Sequence, residues 1–204
     1  MFNNKRLITL PDAELLFIEN LYPPSVSDAF LAELTSELAW EQGEITIFGK
    51  KVLEPRLSAW YGDADKTYTY SGKKQEPLPW QSGLLQIKTD AENAIVEHLK
   101  CDIYLNSVLC NYYRNGQDSM GFHADNEKEL GKNPTIASIN FGETRRFQFR
   151  RRDDKTVKYE LELTHGSLLV MAGAMQHHWL HAVPKEPKRT KPRINLTFRH
   201  IMAH

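Results

Sequence analysis

At 204 residues the chain has the size of one domain and can bury a sizeable core. With 41% hydrophobic and 25% charged residues it lies outside the disordered and fibrous classes, and no apolar run approaches the roughly 20 residues of a membrane span. Basic and acidic residues balance at 26 each, but unevenly: residues 1–44 hold Lys5 and Arg6 against eight acidic groups, so the rest carries a basic surplus of six. Only Cys101 and Cys110 occur, which argues against a disulfide scaffold and for a reducing compartment, the cytoplasm or, in a eukaryote, the nucleus. The N-terminal stretch has acidic residues inside its apolar run and no small-residue cleavage site, so no secretion signal is expected.

In chain order, Leu15 to Tyr22 predicts a first strand, closed by Pro23-Pro24. Ser25 or Ser27 then caps a helix that puts Phe30, Leu31, Leu34 and Leu38 on one face. Ile45–Phe48, Leu57–Tyr61 and Thr67–Tyr70 are short and rich in β-branched or aromatic residues, the composition of strands. A second helix is expected from near Pro79 to Leu99, with Leu84, Ile87, Ala91, Ile95 and Leu99 as its apolar stripe. From Tyr104 onward short strands follow one another: YLNSVLCNYYR, TIASINFG, RRFQFRRR, VKYELELT, GSLLVMAG, WLHAV and RINLTFRHI. Phe147 and Phe149 alternate with Gln148 and Arg150, and Tyr159, Leu161 and Leu163 with Glu160 and Glu162. Many strands without intervening helices predict an α+β, mainly antiparallel β fold, a sandwich or jelly roll with two helices outside one sheet.

The chemistry concentrates in a few short segments. In extended chain, residues two apart share a face, so His123 and Asp125 can reach one ion together. The cluster Gln176-His177-His178-Trp179-Leu180-His181 offers a third ligand, and two imidazoles with one carboxylate is the set expected of non-haem iron(II) oxygenases. Arg193, Asn195, Thr197 and Arg199 alternate with Ile194, Leu196 and Phe198, a polar face whose guanidinium forks suit a dicarboxylate. Asn111 and Tyr113, also two apart, can complete such a pocket from a neighbouring strand. Basic clusters at Lys50-Lys51, Lys73-Lys74, Arg145-Arg146, Arg150 to Arg152 and Lys185 to Lys191 suit phosphate contacts.

Taken in order, N-x-Y at Asn111 and Tyr113, H-x-D at His123 and Asp125, a distal His181 and R-x-N-x-T-x-R from Arg193 to Arg199 resemble the AlkB family. SINFGETRRFQFR, HGSLLVMAG and HWLHAVP resemble its duplex-DNA branch. The resemblance implies a double-stranded β-helix with an N-terminal β extension. One domain over 1–204 would combine helices and nucleotide-recognition strands (1–100) with a jelly-roll core (101–204). It selects His181 as the third ligand of Fe(II), with 2-oxoglutarate and O2 as cosubstrates. Arg193 and Tyr113 would take the distal carboxylate, with Arg199 and Asn111 near the other end. It implies oxidation of base methyl groups, releasing formaldehyde, succinate and CO2. The expected partner is DNA, duplex before single strand, with RNA the alternative; no membrane and no second subunit are expected.

A base inside a duplex must be flipped out to reach a buried ion. Ile45 to Lys51 resembles the branch's wedge, with Phe48 filling the vacated stack, Gly49 turning, Lys50 touching phosphate and Arg56 following. Tyr68 and Tyr70 resemble the base-covering segment, where aromatic faces favour a cationic methylated base. Glu127 is the candidate carboxylate beside that base, and Asn126 stands where the branch usually has an acid. Arg150, Arg151 and Arg152 resemble a DNA-contacting hairpin.

Overall fold

A computed structural model describes residues 4–202 except 48, 65, 67, 71 and 72; for 46, 47, 68–70 and 73–75 it describes the backbone alone. The chain opens with a hairpin, β1 (Lys5–Leu10) and β2 (Ala13–Ile18), and then α1 (Pro24–Glu37). Two short pairs, β3 (Glu44–Ile47) with β4 (Lys50–Leu53) and β6 (Tyr68–Tyr70) with β7 (Lys73–Gln75), flank β5 (Leu57–Gly62). After α2 (Ser82–Leu99) come β8 (Ser107–Tyr113), β9 (Met120–His123), β10 (Ile136–Gly142), β11 (Arg145–Arg151), β12 (Lys158–Leu163) and β13 (Ser167–Ala172). The one-turn α3 (Met175–His178) leads into β14 (Trp179–Val183) and β15 (Arg193–Arg199).

Two antiparallel sheets face each other. The seven-stranded sheet runs β1-β2-β13-β10-β15-β8-β5 and the four-stranded sheet β12-β11-β14-β9. The expected mainly β jelly roll with two helices outside one sheet is therefore what the chain forms. The core divides accordingly. Leu84, Ile87, Ala91 and Ile95 of α2 and Leu34 of α1 pack with Val108, Ile139, Leu196 and Phe198 on the outer face of the large sheet. Phe17, Tyr113, Leu169 and Met171 meet Phe147, Phe149, Leu161 and Trp179 between the sheets. Ile87 is fully buried, and Ile87→Ala is expected to cost about 3 kcal/mol in urea unfolding with an unchanged slope.

Three local expectations are corrected. The first strand is Ala13–Ile18, not Leu15–Tyr22, and a further strand, Lys5–Leu10, pairs with it at the sheet edge. The second helix starts at Ser82, because Leu78 bridges Tyr61 in extended form and the Trp80 indole is tied to Asp63 at 2.8 Å. The first helix has no serine cap: Pro23 occupies the cap position, Pro24 begins the helix with the fixed φ that suits its first turn, and Ser27 is buried against the Tyr22 carbonyl. Gly166, at φ 76°, leaves no room for a Cβ, which would lie 2.7 Å from the Tyr22 carbonyl oxygen.

No described helix is long and apolar enough to cross a membrane. Cys101 and Cys110 are both free thiols, the first exposed and the second buried.

Candidate active site

Strand register assembles the site. Across β15 and β8, Arg193 pairs with Tyr113 and Asn195 with Asn111, so the two motifs share one face as cross-strand neighbours. On the other side of β15, β10 adds Ser138 opposite Thr197 and Asn140 opposite Asn195. All of these are buried, so the polar face of β15 looks into the space between the sheets, not into solvent. On the small sheet His181 of β14 pairs with His123 of β9, and the two rings lie 4.3 Å apart.

His123, Asp125 and His181 each offer one ligand atom, all within 4.8 Å of one another. The His123 Nδ1 lies 2.9 Å from the Gly121 carbonyl, which can only accept, so Nδ1 carries the proton and Nε2 keeps its lone pair. Asp125 receives the Arg199 guanidinium on Oδ1 at 2.9 Å and its own N–H donates to Gln176 Oε1 at 3.0 Å. Burial works against its charge, but Arg199 and the two histidines hold its carboxyl down at about 2. Burial and the neighbouring His123 push His181 down to about 3, so it is a neutral imidazole. Phe147 stacks on the His181 ring at 5.3 Å.

Among the described atoms, Asp125 Oδ2 and His181 Nδ1 are buried with no hydrogen-bond partner. A buried anion and a buried imidazole nitrogen without partners, beside a second imidazole, fit a divalent cation with open positions, and two histidines with one carboxylate suit iron(II). The opposite need stands at the other end. Arg193 is buried, donates Nη2 to Asn140 Oδ1 at 2.5 Å, and leaves Nε and Nη1 without a partner against the Tyr113 ring. Two buried guanidinium N–H groups without an acceptor fit a carboxylate.

A cavity of about 150 Å³ runs from the His–Asp–His set to Tyr113, lined among others by Asn111, Tyr113, Asp125, Asn195, Thr197 and Arg199. Met120, Met171, Leu109 and Val183 form its apolar wall. Arg193 stands just behind Tyr113, outside the lining itself. Asn195 and Thr197 bond each other at 3.0 Å, and Asn195 also donates to Ser138. Glu127 lines the cavity beside His123, and its Oε2 is buried without a partner. Asn126 is exposed.

A model of the 2OG-Fe(II) oxygenase superfamily matches residues 14–199. The alpha-ketoglutarate-dependent dioxygenase alkB homolog 3 of Homo sapiens is 40% identical over 194 residues, 89% of this chain and 65% of its own length. The DNA oxidative demethylase ALKBH2 of Homo sapiens is 36% identical over 192 residues, 89% of this chain and 71% of its own. The chain belongs to the AlkB family of 2OG-Fe(II) oxygenases. The donor set fits the Fe(II) and 2-oxoglutarate for which that superfamily is named. The homolog 3 relative of Bos taurus, at 40% identity, is matched over 62% of its length, so the chain spans about three fifths of that protein. Among solved structures, OsALKBH1 superposes with a TM-score of 0.66 over 96% of this chain at 19% identity, a likeness of fold.

The remaining predicted residues fall differently. Arg56 is not on the surface beside a wedge: it is buried, its Nε donates to Asn111 Oδ1 at 2.8 Å and its Nη2 pairs with Glu54 at 3.2 Å. Three residues beyond β4, it holds the amide of Asn111, which lines the cavity. Gly49, at φ 78°, and Lys50 are exposed at the β3–β4 turn. Phe48 and the side chains of Tyr68 and Tyr70 lie outside the described residues. Of the basic hairpin, Arg151 is engaged by Asp153 and Asp12 at 2.7 and 2.9 Å, Arg150 lies 4.0 Å over the Phe122 ring, and Arg152 is exposed. Arg145, grouped with the phosphate-contacting clusters, is buried instead. Sequence reading missed Gln176, Ser138 and Asn140 as parts of the site. The alternation S-I-N in β10 carried the last two.

Proposed function

We propose that this chain demethylates alkylated nucleic-acid bases, of the 1-methyladenine and 3-methylcytosine kind, in DNA. The observation that carries the dioxygenase chemistry is a pair of needs at one cavity: a His–Asp–His set in its lining, and a buried arginine with free N–H groups against Tyr113, which also lines it. The nucleic-acid substrate is supported by the relative named as a DNA oxidative demethylase. Glu127 supports a cationic base, because a buried, unpartnered carboxylate oxygen beside the metal ligands favours a positively charged guest.

In this reading His123, Asp125 and His181 hold iron. Arg193 and Tyr113 grip the distal carboxylate of 2-oxoglutarate, and Arg199 and Asn111 border its other end. Asn195 and Thr197 keep the polar face ordered. Bound iron and 2-oxoglutarate supply the oxidising power drawn from dioxygen, so no protein nucleophile is required. Arg199 fixes the Asp125 carboxylate, and Arg56 fixes the Asn111 amide. The apolar wall excludes water from the methyl group. A hydroxylated methyl on nitrogen falls apart to formaldehyde and the restored base, with succinate and CO2 as the other products.

Access requires flipping the nucleotide out of the stack. The β3–β4 turn, with Phe48, Gly49 and Lys50, is the proposed wedge, and Tyr68 and Tyr70 the proposed cover over the base. Of the three hairpin arginines, Arg152 is the proposed phosphate contact. Arg152→Gln is expected to lower the slope of log affinity against log salt by about 0.9, the value of one duplex phosphate contact, while Arg151→Gln changes it little.

The test is an oligonucleotide carrying 1-methyladenine or 3-methylcytosine, single- or double-stranded, in DNA or RNA. The expected result is a mass loss of one methylene in DNA, dependent on iron(II) and 2-oxoglutarate and faster in duplex. Retention of the methyl group on every substrate would refute the reading; a preference for RNA or single strands would overturn its finer part.

A further inference from the structure

Arg145 and Arg193 are the two charged groups among the largest fully buried side chains, and the chemistry above uses only Arg193. Both guanidinium carbons lie against the ring of Tyr113, 5.8 and 5.1 Å from its centroid. Arg145 donates Nε to Glu186 at 3.1 Å, Nη1 to the Asn115 carbonyl at 3.2 Å, and Nη2 to the carbonyls of Asp118 and Pro184 at 2.9 and 2.6 Å. These acceptors belong to two separate turns, the one that follows Tyr113 and the one that follows β14. The turns are also joined directly, by Gly116 N–H to Arg189 and Glu186 N–H to Gly116, both at 2.8 Å. Gly116 has no room for a Cβ, which would collide with the Glu186 carbonyl. Arg145 is thus the knot that closes this end of the fold behind Tyr113.

The same knot sets a field. Glu186 is the carboxylate on Arg145, and it is shared with Arg146 at 3.1 Å and Arg189 at 3.9 Å. Burial lowers the Arg193 guanidinium to about 10, and the charge of Arg145 acts in the same direction. Two buried cations lie beside one ring. Glu186 is divided among Arg145, Arg146 and Arg189 and Asp118 is taken up by Arg114, so neither is a direct ion-pair partner of Arg193, and a further anion is favoured there.

We propose that Arg145 is a positioning residue for 2-oxoglutarate: it fixes the Tyr113 end of the cavity and adds a second positive charge toward the distal carboxylate. This rests on the assignment of Arg193 to that carboxylate. The two roles separate by sign. If Arg145 only ties the turns, removing either partner of its ion pair weakens the pocket. If its charge also acts, removing Glu186 unmasks that charge and strengthens it.

The experiment is calorimetric titration of 2-oxoglutarate into the Mn(II)-loaded chain, which binds without turnover, with 2-oxobutyrate as the ligand lacking the distal carboxylate. Arg145→Gln is expected to weaken 2-oxoglutarate about tenfold, and Arg145→Lys less, because charge is retained while the fork is lost. Glu186→Gln is expected to bind 2-oxoglutarate at least as tightly as the unmodified chain. 2-Oxobutyrate affinity is expected to stay within about twofold throughout. Unchanged affinity in Arg145→Gln, weaker binding in Glu186→Gln, or an equal loss for 2-oxobutyrate would each overturn the proposal. Glu186→Gln leaves both arginines in place and decides the matter even if Arg145→Gln does not fold. Arg193→Gln is the control: if it binds 2-oxoglutarate normally, the assignment beneath the proposal fails instead.

Discussion

Asp125→Asn is expected to reduce iron- and 2-oxoglutarate-dependent turnover by at least about a thousandfold, because the change removes the only anionic ligand of the set while keeping its shape. The same substitution acts on the metal-free protein in a way that separates it from His181→Gln. Asp125 is buried and paired with Arg199 at 2.9 Å, so losing its charge removes the carboxylate opposite a largely buried guanidinium. Breaking a buried pair from one side costs about 3 kcal/mol or more. His181 is already neutral when metal-free, so His181→Gln exchanges one neutral polar group for another at smaller cost. Thermal melts with and without Mn(II) check both points. The unmodified chain gains stability with metal, neither variant does, and only Asp125→Asn melts much lower without it. Equal metal-induced gains in all three would remove these residues from the metal site.

Arg193→Gln is expected to raise the KM for 2-oxoglutarate by at least about a hundredfold while metal affinity stays within a few fold, since loss of a charge-assisted bidentate bond costs roughly 3 kcal/mol. The buried guanidinium has two N–H groups in need of an acceptor, and a glutamine supplies neither charge nor fork. Steady-state kinetics at varied 2-oxoglutarate reads the first effect and Mn(II) titration the second. Parallel loss of both would mean that Arg193 holds the fold together and does not select the diacid.

The parts of the site that were legible in the sequence are those with a period of two. H-x-D, N-x-Y and R-x-N-x-T-x-R each place their polar groups on one strand face, and their identity as cross-strand neighbours follows once β8 and β15 pair. The choice of His181 within its histidine cluster was not legible from spacing; the family resemblance supplied it, and the register His181–His123 accounts for it. The charges were harder. Arg56, Arg145 and Arg152 look alike in a sequence, yet the first two are buried: Arg56 under the distant Asn111 amide with Glu54 close by in the chain, Arg145 under the distant Glu186 and carbonyls from two turns. Helix starts were blurred for a related reason. Pro79 is a good first-turn residue, but the bridge of Leu78 to Tyr61 keeps the chain extended for three further residues. The edge strand Lys5–Leu10 was missed because an exposed edge carries no buried alternation to reveal it.

The most direct measurement is an anaerobic titration of iron(II) and 2-oxoglutarate followed in visible light. Iron(II) held by His123, Asp125 and His181 together with the 2-oxo-acid end of 2-oxoglutarate would give a weak charge-transfer band that needs both components, vanishes in Asp125→Asn and requires far more 2-oxoglutarate in Arg193→Gln. Iron binding without that band, or a band that survives Asp125→Asn unchanged, would contradict the assignment of this cavity.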